Sequence, residues 1–171
     1  MKAGSGSLTA KERRKVRRRE RELKDQETID GLLERLLVGR IATVNRRGFP
    51  VIKPVNFLHW EGKIYFHSSR HGEKINDMGR GSRVCFEVDA PIAYLACRES
   101  ACRASYFYRS ILIKGKGKIV KDRERKSEVL RRLMEKYQPE GGYQDMPEVV
   151  LKKTAVIEIS IDRLTAKENL G

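Results

Sequence analysis

The amino-acid sequence predicts a mainly β protein with flanking helices, in which about six antiparallel strands form a small barrel. Short segments rich in β-branched and aromatic residues follow one another, with turn-forming pieces such as NRRG at 45–48 and WEGK at 60–63 between them. Strands joined by tight turns form antiparallel meanders, and closing a meander removes its exposed edges. The 171 residues, of which 39% are hydrophobic, fit a single core.

The first half of the folded region is predicted to contain one helix and three strands. Apolar residues recur at three- and four-residue spacing from Ile29 to Leu37, which predicts an amphipathic helix that ends near Gly39. The strands are predicted at 41–44, 51–59 and 63–68. Pro54 cannot donate a ladder hydrogen bond, so the second of these strands is expected at a sheet edge or a bulge.

The second half is predicted to alternate between helices and strands. A short helix bounded by glycines is expected within 71–81, and a strand over 83–89 is expected to end before Pro91. A long strand at 106–120 contains Gly115 and Gly117, which indicate a bulge or a sharp bend. The remaining elements are a surface helix at 122–137, a loop at 138–147 and a strand at 154–161.

The chain is strongly basic, with a formal net charge of +14. Nine of its 37 Lys and Arg residues lie within residues 11–24, so residues 1–24 are predicted to be a basic extension, flexible or helical, and residues 25–171 the folded domain. Basic clusters are common on solvated surfaces, so nucleic-acid binding through Arg13 to Arg21 and the 106–109 segment is kept only as an alternative hypothesis.

Several classes of site are not indicated by the sequence. It has no P-loop, no G-x-G-x-x-G and no G-x-S-x-G motif. Cys85, Cys97 and Cys102 form no C-x-x-C pair, and the histidines do not have zinc-like spacing, so neither a disulfide nor a metal site is expected. No apolar stretch approaches the ~20 residues of a membrane span and no signal peptide is recognisable, which predicts a cytoplasmic protein without membrane contact.

The stretch FHSSRHGEKIND, residues 66–77, is the most informative part of the sequence. It follows a predicted strand, offers the hydroxyls of Ser68 and Ser69, and brings Lys74 to the start of a short helix. Phosphate groups bind where hydrogen-bond donors, positive charge and helix-end amides meet, so these residues indicate an anion site. The same residue types are common in solvated turns, and a plain surface connection stays open as an alternative.

Two further segments contain residues suited to a ring-shaped ligand. In KPVNF at 53–57, Pro54 leaves neighbouring backbone groups free to bind a planar heterocycle, and Asn56 adds an amide. In CRASYFYRS at 102–110, aromatic residues alternate with arginines, which can stack on a ring, clamp a phosphate or contact RNA bases. Judged from residue types alone, an edge strand and a half-buried strand with an arginine at its rim are equally good interpretations.

Segments spread over residues 25–167 together resemble the pyridoxamine 5′-phosphate oxidase-like flavoproteins, and most of all the branch containing the nitroimidazole-resistance (Nim) proteins. They are GRIATVNRRGFPVIKPVNFLHWEGKIYFHSSRHGEKINDM, RVCFEVD, CRASYFYRSILIKGKGKIV, LMEKYQP and LKKTAVIEISIDRLTAK. The resemblance implies a six-stranded antiparallel split β-barrel that forms a homodimer, with FMN in two symmetric grooves at the subunit interface. FAD or a deazaflavin is an alternative cofactor in such a protein.

The same resemblance implies which residues hold the flavin. They are His67, Ser68, Ser69, Gly72, Lys74 and Ile75 at the phosphate, Lys53, Pro54, Val55 and Asn56 along the ring edge, and Tyr108, Arg109 and Ser110 from the partner subunit. His71 is the candidate catalytic residue, as a proton donor near the ring.

The chemistry implied is the two-electron reduction of a small acceptor, with NAD(P)H or another carrier as the electron donor. The alternative is an FMN-binding module without its own turnover. After Ile161 the sequence lacks the arginines and histidine that bind pyridoxamine phosphate in the true oxidases, so oxidation of vitamin B6 is not implied.

Overall fold

Seven antiparallel strands form one sheet in the computed structural model, which describes residues 17–79, 83–144 and 146–171. The strands are β1 Val38–Val44, β2 Pro50–Asn56, β3 Leu58–Trp60, β4 Lys63–Ser69, β5 Arg83–Leu95, β6 Ser105–Ile119 and β7 Thr154–Asn169. Their order in the sheet is β2-β1-β5-β6-β7-β4-β3. The mainly β class with antiparallel pairing is therefore confirmed.

The strand count and the closure of the sheet differ from the prediction. The predicted strand at 51–59 is two strands, because the buried Phe57 interrupts it and donates its backbone N–H to the Tyr137 hydroxyl at 2.8 Å. Within the described residues the sheet is open, with β2 and β3 as its edges, so the expectation of a barrel without edges is wrong. Pro54 lies on the edge strand β2, as predicted.

Four α-helices flank the sheet: α1 Gln26–Arg35, α2 Glu73–Gly79, α3 Arg123–Tyr137 and α4 Glu148–Lys153. Helix α1 begins where the Asp25 carboxylate accepts the Thr28 N–H at 2.8 Å. It ends before Gly39, which lies in β1 instead, where a Cβ atom would come within 2.1 Å of the Phe86 ring. None of the helices in the described ranges is long and apolar enough to cross a bilayer.

The later strands are longer than predicted. Strand β5 continues through Pro91, because the ladder with β6 shifts its register between Pro91 and Ala93 and resumes beyond the proline. Strand β7 runs to Asn169, eight residues past the predicted end at Ile161. The irregularity predicted at the β6 glycines is confirmed, since the β6–β7 register shifts between Lys114 and Gly115.

The buried residues form two clusters on opposite faces of β4. The larger one lies between the sheet and helices α1 and α2, and includes Ile64, Phe66 and Phe86. The smaller one lies under α3 and α4 and includes Tyr65 and Val156. Side chains alternate along a strand, so the even-numbered residues of β4 face the larger cluster and the odd-numbered residues face α3 and α4.

We expect His59 to make the stability of this fold fall in mild acid. Its Nε2 atom is buried without a hydrogen-bond partner among the described residues. Burial, the largest influence on this side chain, lowers the pKa of His59 below its ordinary value of 6.5. The unfolded chain then binds a proton that the folded chain resists, so the free energy of unfolding decreases as pH falls through about 6.5.

Urea unfolding at pH 7.5 and pH 5.5 measures this effect. The loss of stability between the two pH values should be smaller in His59→Gln than in the parent protein, because every other titrating group is shared. An equal loss in both proteins would show that His59 is protonated without cost in the folded state.

Candidate functional site

Three basic side chains from three different elements converge at the split between β2 and β4. They are Lys53 of β2, His67 of β4 and Lys74 of α2, and we refer to them as the Lys74 cluster. Burial and then the charge of Lys53 lower the pKa of Lys74, while burial and then the charge of Lys74 lower the pKa of His67. Lys74 and His67 are thus each influenced by a neighbouring cation, and Lys53 Nζ lies 3.4 Å from the Glu73 carboxylate directly before Lys74, so the structure brings together two predicted regions of the sequence.

The loop between β4 and α2 is built around the predicted Ser69 and Gly72. The Ser69 hydroxyl accepts the backbone N–H of His71 at 3.3 Å. Gly72 has a φ of 137°, which side chains rarely adopt, and its carbonyl accepts the N–H groups of Ile75 and Asn76, both at 3.1 Å. Glycine is needed here for the backbone conformation that starts α2 and fixes the position of Lys74.

Buried residues pack helix α2 against the core. Ile75, the residue expected behind the phosphate site, is buried in the larger core cluster. Asp77 is also buried, and its carboxylate accepts the hydroxyl hydrogen of Thr43 on β1 at 3.0 Å. The sequence-based prediction did not include this buried pair. An acidic residue between Ile75 and Met78, on the inward face of a short helix, does indicate that a buried hydrogen-bond partner is present.

A carboxylate that the sequence analysis did not single out lies beside the Lys74 cluster. Glu73 Oε2 is 3.4 Å from Lys53 Nζ, and Glu73 Oε1 is 3.5 Å from the Asn45 amide nitrogen. This carboxylate neutralises only part of the cluster. An incoming anion would compete with Glu73 for Lys53, while Lys74 forms no ion pair within the described residues.

The predicted ring-binding strand β2 lies at the free edge of the sheet. It pairs only with β1, with Lys53 opposite Ile41 and Val55 opposite Gly39. Val55 is buried against the core, whereas Pro54 and Asn56 are exposed. The outer backbone groups of an edge strand have no ladder partner, and they are available to a planar ligand.

The predicted residues Tyr108, Arg109 and Ser110 lie elsewhere in the subunit. They pair with residues 167–169 at the end of β7, whereas residues 67–69 pair with 154–156 at its start. The eleven residue-to-residue steps from Val156 to Lys167 correspond to roughly 35 Å measured along the strand. Arg109 Nε donates to Glu168 at 3.0 Å. Within one chain, the structure does not join this group to the Lys74 cluster.

The described part of the basic N-terminal run packs beside the Tyr108 end of the sheet. Glu22 forms a bridge with Lys167, and the N–H of Leu23 donates to the Ala166 carbonyl at 3.1 Å. Leu23 is buried, and the preceding residues Arg19–Arg21 form a turn of 3-10 helix. The rest of the predicted extension, residues 1–16, lies outside the described residues.

The arrangement around Lys74 suits a phosphate dianion. The Lys53 and Lys74 ammonium groups supply positive charge from a strand and a helix, and His67 and Ser69 share one face of β4. Ser68, also predicted at the phosphate, lies on the opposite face of β4, towards the larger core cluster. His71 is exposed in the same loop, next to this donor set. The residues present therefore fit a phosphate group, and the free edge of β2 fits the side of a planar ring attached to it.

Solved structures of several other proteins share this fold. The flavocytochrome Anf3 from Azotobacter vinelandii superposes with a TM-score of 0.81 at 22% identity, over 91% of this chain and 72% of its own. The FAD and heme binding protein from Mycobacterium smegmatis gives a TM-score of 0.80 at 21% identity, over 88% and 74% of the two chains. These likenesses show a shared split-barrel fold.

A candidate 5-nitroimidazole antibiotic resistance protein from Bacteroides thetaiotaomicron superposes with a TM-score of 0.74 at 22% identity, over 86% of each chain. No curated protein sequence matches the chain. The family model described as pyridoxamine 5′-phosphate oxidase matches residues 25–168. Since that match takes in most of the sequence, from α1 to β7, the chain belongs to the pyridoxamine 5′-phosphate oxidase family.

Proposed function

We propose that this protein binds FMN and uses it to reduce a small acceptor. The observation that carries the proposal is the Lys74 cluster, where Lys53 of β2 contacts Glu73 at the start of α2, directly before Lys74, and where Lys74 influences His67 of β4. Membership in the pyridoxamine 5′-phosphate oxidase family supports it, as does the fold shared with a flavocytochrome and with an FAD and heme binding protein.

The proposal includes a homodimer in which each flavin contacts both subunits. Tyr108, Arg109 and Ser110 of β6 pair with the end of β7, whereas the β4 residues beside the Lys74 cluster pair with its start, so the two groups lie apart within one chain. An apolar surface on β1 and β2 supports a second copy as the partner, since Val44 and Ile52 are 55% and 66% exposed on the same outward face. A two-fold axis would bring the Tyr108 end of one subunit to the Lys74 end of the other.

When bound, the flavin supplies the electron transfer, and NAD(P)H or another carrier supplies the electrons. The protein's own groups bind and orient it. Lys74, His67 and Lys53 hold the phosphate, and the edge of β2 holds the ring. His71, exposed in the loop before Gly72, is the group we assign as proton donor to the acceptor.

Absorbance spectroscopy and subunit mixing test this proposal. The purified protein should take up FMN and show bound-flavin absorbance, and light scattering should give a dimer. Lys74→Ala and Arg109→Ala proteins should each bind FMN weakly, but after subunit exchange about a quarter of the sites should regain tight binding, because mixed dimers hold one intact site.

The outcomes that would contradict it are equally specific. A protein that stays colourless with added FMN rejects the flavin site. If the parent protein binds FMN tightly but mixing the two variants restores no tight binding sites, the shared interface is rejected and the cofactor is retained. The reduction of a small acceptor is rejected if no nicotinamide cofactor or other carrier reduces the bound FMN, or if no small acceptor reoxidises it. The protein would then be a flavin-binding module without turnover.

A further inference from the structure

A cavity of about 850 Å³ lies between α3 and the chain that connects α3 to α4. One of its walls is a single face of α3, with the spacing of a helix at residues 123, 127, 130 and 134. The opposite wall includes Tyr143, Gln144 and Met146 of the connection. The volume lies within the ~300–1,000 Å³ that small-molecule sites usually have.

This α3–α4 cavity is separate from the Lys74 cluster. Its lining includes Leu130 and Leu151, which belong to the smaller core cluster. Ile75 and Met78 of α2 belong to the larger core cluster, on the opposite face of β4. None of the described residues that line the cavity is a member of the Lys74 cluster. A ligand in the cavity would therefore be held by groups other than those of the proposed phosphate site.

Several apolar side chains that line the cavity are in contact with solvent. Met146 and Tyr143 are 40% and 38% exposed, and Met134 is half-buried. The connection is fixed at its start, where the Gln138 side chain donates to the Gly141 carbonyl at 2.8 Å and the Gly141 N–H donates to the Gln138 carbonyl at 3.1 Å. An apolar ligand would remove these side chains from water, which is favourable.

The charged residues around the cavity interact with one another. Arg123 of α3 donates to Glu148 of α4 at 2.7 Å, and Arg131 donates to Glu128 at 2.8 Å. The hydrogen bond and charge of Glu148, and then the charge of Glu124, raise the pKa of Arg123. A charged ligand would have to compete with these pairs, whereas a neutral ligand leaves them in place.

Three uncharged polar groups line the cavity and make no side-chain hydrogen bond within the described residues. They are the hydroxyls of Ser127 and Tyr143 and the amide of Gln144. Hydroxyl and amide groups can both donate and accept hydrogen bonds. The thioethers of Met134 and Met146 make favourable contacts with aromatic rings. Together these groups suit an aromatic ring that carries an oxygen substituent.

We propose that the α3–α4 cavity binds a neutral aromatic molecule with a carbonyl or hydroxyl oxygen, at a site separate from the flavin. The two methionines cover the ring, and the Tyr143 hydroxyl and the Gln144 amide pair with the oxygen. This site goes beyond the proposed function and does not depend on it, because the lining residues are distinct from the Lys74 cluster.

Titration with Nile red, a neutral aromatic dye with a ring carbonyl, tests the inference. Its fluorescence rises in apolar surroundings, and saturating FMN keeps it out of the flavin site. We expect one dye per subunit, with a dissociation constant on the order of 10 µM. Met146→Glu should weaken binding about tenfold, because the dye would desolvate the new carboxylate. The matched control Val149→Glu adds the same charge at an exposed position of α4 that does not line the cavity, and it should bind like the parent protein.

A second control, Ile52→Glu, adds a charge to the exposed apolar surface on β1 and β2 and should also retain dye binding. Thermal melting confirms folding, and should Met146→Glu not fold, Ser127→Trp gives the same comparison by placing a ring in the cavity. A parent protein that does not raise the fluorescence, or equal binding by Met146→Glu and Val149→Glu, overturns the site. Loss of binding in Ile52→Glu but not in Met146→Glu also overturns it. A protein that binds the dye but not FMN rejects the proposed function and retains this site.

Discussion

Replacing Lys74 by alanine is expected to weaken FMN binding by roughly 30-fold, equivalent to about 2 kcal/mol. Lys74 is the half-buried cation of its cluster, and its ammonium has no carboxylate partner within the described residues. Its charge is therefore free for a phosphate. A partly buried charge-assisted hydrogen bond contributes more than an exposed one, because less solvent screens it.

Riboflavin, which lacks the phosphate, separates this effect from a general loss of structure. Its dissociation constant should be nearly the same in Lys74→Ala and in the parent protein, so that only the preference for FMN over riboflavin is lost. Asn76→Ala, at an exposed position two residues further along α2, is the matched control and should retain that preference. If riboflavin and FMN weaken together, the lysine supports the fold of the loop and does not bind phosphate.

Replacing Gly115 by alanine is expected to lower the free energy of unfolding by about 3 kcal/mol. A Cβ atom at this position would lie 1.9 Å from the backbone oxygen of Ser160 and 3.2 Å from Ile159 Cγ2. The obstacle is backbone in the neighbouring strand β7, so no side-chain rotation relieves the overlap. The register shift between Lys114 and Gly115 brings the two backbones this close.

Gly31→Ala is the matched control for this substitution. Gly31 lies within α1, and a Cβ atom there meets nothing within 4 Å, so alanine should raise stability by about 0.5–1 kcal/mol through its higher helix propensity. Urea unfolding of the three proteins measures both effects. A Gly115→Ala protein as stable as its parent would mean that the β6–β7 ladder realigns at little cost.

The regular parts of the fold were predictable because local patterns determine them. The spacing of Ile29, Leu32 and Leu33 specifies α1, and their burial confirms the inward face. The limits of β5 and β7 were not predictable. Proline is typical of a strand end, but a shift in the β5–β6 register allows β5 to continue past Pro91. Gly39 fits a helix end equally well in sequence, and only the position of the Phe86 ring shows why β1 requires it.

Within the candidate site, sequence reasoning found the residues that lie close together in the chain. The serines, Gly72 and Lys74 belong to one loop and its helix, so their types and order sufficed. Glu73 and Asp77 were missed because their roles depend on Lys53 and Thr43, which come from other strands.

The position of β7 has a consequence for how the chain folds. The hairpins β1–β2, β3–β4 and β5–β6 each pair neighbouring segments, but β3–β4 joins the other strands only through β7, the last strand in the sequence. Contacts of such high sequence separation form slowly, and the edges of β4 and β6 stay unpaired until they do. Residues 154–156 pair with residues 67–69, so the β4 side of the proposed phosphate site is expected to form only when β7 joins the sheet.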